Sequence, residues 1–490
     1  MRKSIICRLF ILAVSGISAL SPTAAFAHSG KARFHIIVDT DCAADDLRTL
    51  CMLLGNREIE VLAVTTSEGA LPPHVSARRA AALLGDFHHQ GIPVGAGRET
   101  GAAAPAWRTL SGKTEWGDTT RLSATIAAAP DLIIETIEGE DEKVTFVALG
   151  ALTNIGDALA ARPSIADRLE RIVWYNDGAR PLSGTNYEAD KAAAEKVIGS
   201  GIDMVIVSAD RDRPQPVTQQ LLDSISTVRT PYARKIVGSH TAEPLAPLVS
   251  NGHLKLWDDL VAVYLFAPEL FETERIDGNL TQARLREAST AQTEDRIVAI
   301  LRGKPDSESR VFYGFPTDGA LYAADVAPMI AEAIERHGPS EWRAAVLTNE
   351  LHGHLGIYAT IGVKMGIRAR EYFNIGVDDI AVTTYAGSRP PVSCMNDGLQ
   401  VGTGASVGHG LITVAECETP RPEALFRFKN KSVRIALKPE YARRIRDDVK
   451  RGIELYGDLT EPYWQYVRGL ALKYWAEFDR HDIFDIEAED

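Results

Sequence analysis

The sequence predicts an α/β fold, a mainly parallel sheet with helices on both faces, followed by a smaller α+β domain. Three observations carry this reading. Short apolar runs alternate with helical stretches through the first two-thirds of the chain, four aspartates crowd the first strand-to-helix junction, and the composition changes after residue 337. At 490 residues the chain also exceeds the size at which one hydrophobic core keeps growing, and its 45% apolar content is ample for two.

Phe34 to Asp39 is a short apolar run ending in polar residues, as a buried parallel strand reads, and Ala44 to Leu54 follows with helical spacing. The alternation continues with Glu60 to Thr65 as strand, Val75 to Leu84 as helix, and short strands at Pro93 to Gly95 and Lys143 to Leu149. Further strands are expected at Arg171 to Tyr175 and Met204 to Val207, and Ser111 to Asp118 reads as a loop over the sheet. Helices between successive strands imply parallel pairing with both faces covered. Ala323 to Arg336 is expected to close this domain as a helix, and His337-Gly-Pro-Ser340 breaks the pattern.

Upstream, Arg2 and Lys3 precede an apolar run from Ile5 to Leu20 and then Ala25-Phe26-Ala27, which reads as a secretory signal peptide with an A-x-A cleavage site. A membrane anchor is the competing reading, but the run is short and interrupted by Arg8, Ser15 and Gly16. The expected organisation is therefore a signal peptide over 1–27, a first domain over 32–338 and a second over 340–490, in a periplasmic or secreted protein without stable membrane insertion. Cys42, Cys51, Cys394 and Cys417 are too sparse for a disulfide framework. The net charge of −13 and the lack of any basic block exclude nucleic acid as a partner.

Asp39-Thr-Asp41-Cys-Ala-Ala-Asp45-Asp46 places four carboxylates within eight residues. Alternation along a strand sets Asp39 and Asp41 on one face at its carboxyl end, while Asp45 and Asp46 open the next helix. In an open parallel sheet that edge binds ligands. Such close negative charges repel unless a cation neutralises them, and oxygen ligands favour Ca²⁺ or Mg²⁺ over Zn²⁺. A helix N-cap with solvated acids explains Asp45 or Asp46 but not Asp39 and Asp41. A phosphotransferase-type Asp-x-Asp, with Asp39 as nucleophile, calls for a downstream Lys and acidic pair that do not appear in recognisable context.

The segment from Asp39 to Asp46 resembles the N-terminal signature of the inosine-uridine-preferring nucleoside hydrolases. Val144 to Asn154, with its Gly-Ala-Leu-Thr-Asn turn, Asn186-Tyr-Glu-Ala-Asp190, and Trp257-Asp258-Asp259 resemble three further segments of that family in the right order. The resemblance spans about Phe34 to Glu335 and implies a nucleoside-hydrolase-like fold. It implies that Asp41, Asp46, Asp259 and the Thr153 main-chain carbonyl hold Ca²⁺, that Asp41 also deprotonates the attacking water, and that Asp45 and Asn186 hold sugar hydroxyls. Trp257 is placed to stack on an aromatic leaving group, and Asp258 stands where the family often has a His that protonates it. The sequence departs from the family at Cys42-Ala43, usually Pro-Gly, at Ala70, near a usual Asn, and at Gly184, near a usual Glu.

In the second domain, Leu351-His352-Gly-His354-Leu-Gly356 sets two imidazoles two residues apart, and Cys394, His409 and Cys417 are further soft donors. The stretch from about Trp342 to Glu416 resembles the family of the E component of formylmethanofuran dehydrogenase, although Gly356 or its neighbour stands where that family has its first Cys. His352, His354, Cys394 and His409 are thus candidates for a second metal, Zn²⁺ or another transition ion.

The reading is calcium-dependent hydrolysis of an N-glycosidic bond in a nucleoside or related small N-glycoside. A non-catalytic calcium-dependent sugar-binding protein is the competing class, favoured by the losses at Ala70 and Gly184. The expected partner is a small-molecule substrate, with homo-oligomer formation left open.

Overall fold

The computed structural model describes residues 32–489 apart from 123–124, 210–213, 287–289, 304–310, 313 and 378, so the expected signal peptide lies outside the described residues. Nine strands form one sheet: β1 (Phe34–Thr40), β2 (Ile59–Thr66), β3 (Val94–Ala96), β4 (Ile126–Ala128), β5 (Val144–Ala148), β6 (Leu169–Tyr175), β7 (Met204–Ser208), β8 (Phe271–Asp277) and β9 (Leu280–Leu285). Their order across the sheet is β8-β9-β7-β6-β5-β1-β2-β3-β4. All neighbours are parallel except β8, which pairs antiparallel with β9 at one edge. The α/β class with a mainly parallel sheet is therefore as expected.

Alternation along β1 fixes its two faces. Ile36 and Val38 enter one buried apolar cluster with helix α1 (Ala44–Gly55), while Ile37 enters the other with Phe146 and Ile133. The strand order reverses direction at β1, which lies between β5 and β2. Crossovers leaving β1 and β5 diverge there and open a crevice at the carboxyl ends of the strands, so topology alone puts a ligand site beside Asp39 and Asp41.

The second domain is built on a five-stranded sheet carrying Ala381–Thr384, Glu423–Phe428, Lys431–Leu437 and Phe484–Glu489, with Ile412–Val414 at one edge. Its core is a third apolar cluster, which also contains Val326, Ile330 and Ala333. The helix expected to close the first domain therefore belongs to the second core, and the cores divide before Val326 rather than at residues 337–340. That helix is also shorter than expected, running Ile330–His337 after a 3₁₀ turn at Ala327–Met329. Pro328 lacks the N–H that a helix interior uses and is tolerated only in a first turn.

The two domains are joined by buried and partly buried polar contacts. Asn374 donates to the Leu54 carbonyl at 3.1 Å, Gly91 N–H donates to Tyr372 O at 2.8 Å, Arg368 donates to His88 O at 3.1 Å, and Lys431 donates to Gly91 O at 3.0 Å. Leu54 precedes β2 and residues 88–91 precede β3, so the second domain docks at the amino-terminal edge of the parallel strands. Among the described residues no helix is long and apolar enough to cross a membrane.

Candidate functional site

β1 ends one residue before Asp41, and α1 begins three residues after it, which leaves a turn too short to carry the aspartates away from one another. Cys42, inside this turn, is a non-glycine residue at φ 65, and such left-handed backbone is held only where the surroundings over-determine it. The surroundings do so here. Cys42 N–H donates to Thr40 Oγ1 at 3.0 Å, and its thiol contacts the Ser76 carbonyl at 3.4 Å.

Each aspartate has a distinct place. Asp39 is fully buried beneath the site, and its Oδ2 accepts from Thr65 Oγ1 and Asn154 Nδ2, both at 2.6 Å. It is a strut between strands rather than a group facing ligand, and burial pushes its carboxyl up to about 6. Asp41 accepts from Ala70 N–H at 2.8 Å and Ala43 N–H at 3.2 Å, and burial, opposed by the Ala70 N–H and reinforced by the Asp45 charge, pushes it up to about 7. Asp46 accepts from Thr40 Oγ1 at 2.5 Å and from the Asp41 and Ala43 N–H groups at 3.2 Å.

Asp45, Asp46 and Asp258 each offer an oxygen within 4.8 Å of the others. Burial first, and then the neighbouring carboxylates, push Asp46 and Asp258 well above the usual carboxylate range. Asp258 Oδ1 is buried with no hydrogen-bond partner. A divalent cation would relieve both the repulsion and the orphaned oxygen, so the donor set fits a hard, oxygen-seeking ion.

Asp259, expected in that ligand set, points elsewhere. Both of its oxygens are taken by buried Arg48, Nη2 to Oδ2 at 2.6 Å and Nε to Oδ1 at 2.8 Å. Asp258, expected to face the leaving group, is the carboxylate that joins Asp45 and Asp46. Asp259 opens the helix Asp259–Phe266, where successive side chains diverge by about 100°, so the neighbouring acids of Trp257-Asp258-Asp259 face different surroundings.

A cavity of about 580 Å³ opens on the cluster, lined in part by Asp41, Asp45, Asn186, Trp257 and Asp258. Asn186 uses its Nδ2 to donate to the Leu149 and Tyr175 carbonyls at 2.8 and 3.0 Å, which leaves its Oδ1 as an acceptor at the wall. Thr153 starts the helix Thr153–Ala161 and donates its hydroxyl to Asp190 at 3.0 Å, without lining the cavity. Trp107 and His253 also line the cavity, and nothing in the sequence but residue type distinguishes them.

The loop Ser67 to Leu71 closes over Asp41. Arg108 donates to the Gly69 carbonyl at 2.9 Å and the Ala70 carbonyl at 3.3 Å, and so holds the loop that supplies the Ala70 N–H. A Cβ at Gly69 would meet Asp41 Oδ2 at 2.0 Å. Gly69→Ala is expected to lower kcat by about 10²-fold through displacement of the carboxylate and to lower Tm, because such overpacking costs about 1–3 kcal/mol. Steady-state kinetics beside thermal melts check this.

In the second domain, His352 Nδ1 lies 2.7 Å from Asp397 Oδ2, and the His352 and His354 rings are 4.4 Å apart. His409 is exposed and contacts the Gly404 carbonyl through Nδ1 at 2.9 Å. Among the described residues, the groups of three or more donors near enough to share an ion include none from this domain. The expected set of His352, His354, Cys394 and His409 is not among those groups, and His352 is paired with Asp397 instead.

A family model described as inosine-uridine preferring nucleoside hydrolase matches residues 36–314. A second, described as FmdE, molybdenum formylmethanofuran dehydrogenase operon, matches residues 351–465. The pyrimidine-specific ribonucleoside hydrolase RihA of a Shewanella species is 28% identical over 303 residues, covering 58% of this chain and 92% of that protein. The protein of the same name from Escherichia coli is 26% identical over 279 residues, covering 52% and 87%. The solved inosine-uridine preferring nucleoside hydrolase of Bacillus anthracis aligns at 17% identity over 55% of this chain and 99% of its own, with a TM-score of 0.46.

Proposed function

Since the chain belongs to the inosine-uridine preferring nucleoside hydrolase family and is an N-glycosyl hydrolase, we propose that it cleaves ribonucleosides with the help of a calcium ion at the carboxylate cluster. The observation that carries this reading is the convergence of Asp41, Asp45 and Asp258 on one cavity at the switch point of the sheet, with Asp46 buried against Asp45 and Asp258.

Asp41, Asp46 and Asp258 would hold the cation, with the Thr153 carbonyl as a further ligand from the turn that follows β5. When bound, the cation lowers the pKa of the attacking water. Asp41 takes the proton of that water, and its two backbone N–H contacts aim it. Asp45 and the Asn186 Oδ1 accept from sugar hydroxyls, and these bonds strengthen as the glycosidic carbon gains positive charge. Trp107 and Trp257 offer aromatic faces for the base. The test is a nucleoside panel read by reducing-sugar release: ribose should appear in calcium and stop in chelator. No release from any nucleoside would refute the proposal.

Protons compete with the cation for the same oxygens. Asp41 sits at about 7, above its unfolded value, so in the chelated protein its protonated form supports stability at low pH, and that support is lost as pH rises through 7. Calcium replaces the proton. The calcium-induced rise in Tm is therefore expected to be larger at pH 8 than at pH 6, and paired melts with and without chelator measure it. Export is also part of the proposal: an intact mass beginning near His28 in secreted material is the expected result.

A further inference from the structure

At the opposite end of β1 lies a second cluster. His35 and Glu60 are side-by-side partners on β1 and β2, and Glu140 stands just after the helix Ala129–Gly139. The His35 side chain is 9% exposed, and its Nδ1 has no hydrogen-bond partner although it lies 3.4 Å from Glu140 Oε1 and 3.6 Å from Glu60 Oε2. One ligand atom from each of the three residues lies within 4.8 Å of the others.

The remaining oxygens are already occupied. Lys429, from the turn between Glu423–Phe428 and Lys431–Leu437 in the second domain, donates to Glu60 Oε1 and to Glu140 Oε2, both at 2.6 Å. Glu140 Oε1 also accepts from the Asp141 and Glu142 N–H groups at 3.1 and 3.3 Å. Glu60 is thus fixed by Oε1 and turns Oε2 toward the imidazole, whereas Glu140 is held through both oxygens, with Oε1 also facing the imidazole. Tetrahedral ligands at 2.0–2.1 Å from an ion stand about 3.3 Å apart, close to both measured separations. Carboxylates that ligate a metal are usually hydrogen-bonded in turn, as these two are.

We propose that His35 Nδ1, Glu60 Oε2 and Glu140 Oε1 form a second cation site at the domain junction, suited to zinc or a similar divalent transition ion. One imidazole and two carboxylates select such an ion over calcium, and the fourth position is left for water. Lys429 stays in place and ties the site to the second domain. The ion fastens the starts of β1 and β2 to the segment after the helix Ala129–Gly139, far from the cavity on the opposite edge.

Full-length protein is stripped with chelator, returned to saturating calcium to fill the aspartate cluster, and titrated with zinc. One zinc equivalent is expected that His35→Gln and Glu140→Gln each weaken by at least about 10-fold and that His352→Ala leaves intact. Zinc uptake equal in wild type and His35→Gln, or none in wild type, overturns the site. X-ray absorption at the zinc edge of the wild-type protein gives an answer that survives any folding failure in the variants. One imidazole among oxygen ligands supports the assignment, whereas two imidazoles or a sulfur ligand overturns it.

Discussion

Asp41→Asn is expected to abolish nucleoside hydrolysis while leaving the fold in place. The amide cannot take a proton from water, and loss of a general base alone costs about 10²–10⁴-fold. The variant also loses a charged ligand oxygen, so calcium affinity falls as well. Ala70 N–H and Ala43 N–H donate to different Asp41 oxygens, so the amide keeps an acceptor for only one of them, but removing one of several crowded negative charges relieves repulsion, and folding should hold. Single-turnover rates on the best nucleoside, set beside the urea midpoint, read both halves. Wild-type turnover by Asp41→Asn would remove this residue from the mechanism.

The largest effect on stability is expected from Arg48→Met. Arg48 is 2% exposed and Asp259 is fully buried, and the guanidinium also donates to the Lys255 carbonyl at 2.9 Å and contacts His240 Nε2 at 2.9 Å. That imidazole is held neutral, pushed down to about 3 by burial and by Arg48 itself, and it serves as an acceptor. Removing the arginine strands a buried carboxylate, which costs about 3–5 kcal/mol. Adding Asp259→Leu removes that stranded charge and should return most of the loss. Excess calcium should not rescue Arg48→Met, whereas it should partly rescue the activity of Asp258→Asn. Urea unfolding of the single and double variants, with calcium titrations of activity, separates the two neighbouring aspartates.

This pair also marks where the sequence stops being legible. Trp257-Asp258-Asp259 announces a metal-binding segment, but spacing does not tell which of two adjacent acids faces the ion. The choice is made by Arg48, whose contact with Asp259 joins residues 211 positions apart in the chain. The buried strands are legible because parallel strands covered on both faces are continuous apolar runs: β1 is expected over 34–39 and spans 34–40, and β2 is expected over 60–65 and spans 59–66. β8 is not legible. Its sequence Phe-Glu-Thr-Glu-Arg-Ile-Asp is mostly exposed at the sheet edge and carries no apolar pattern. The four aspartates of the first turn are legible as a site because their charge has no structural explanation. Asp39, however, is separated from the others only by its partners Thr65 and Asn154, which the fold brings from another strand and from a helix.

The docking of the second domain against the loops that precede β2 and β3 has a consequence for how such a chain can arise. In a parallel-stranded enzyme those loops carry no chemistry, so an added domain can claim them without any change to the substrate cavity. Once claimed, they cannot easily be released: His89 and Asn374 are buried by the partner domain, and either half alone would present unmet polar groups and bare apolar surface to water. The two halves are therefore expected to depend on each other to stay folded.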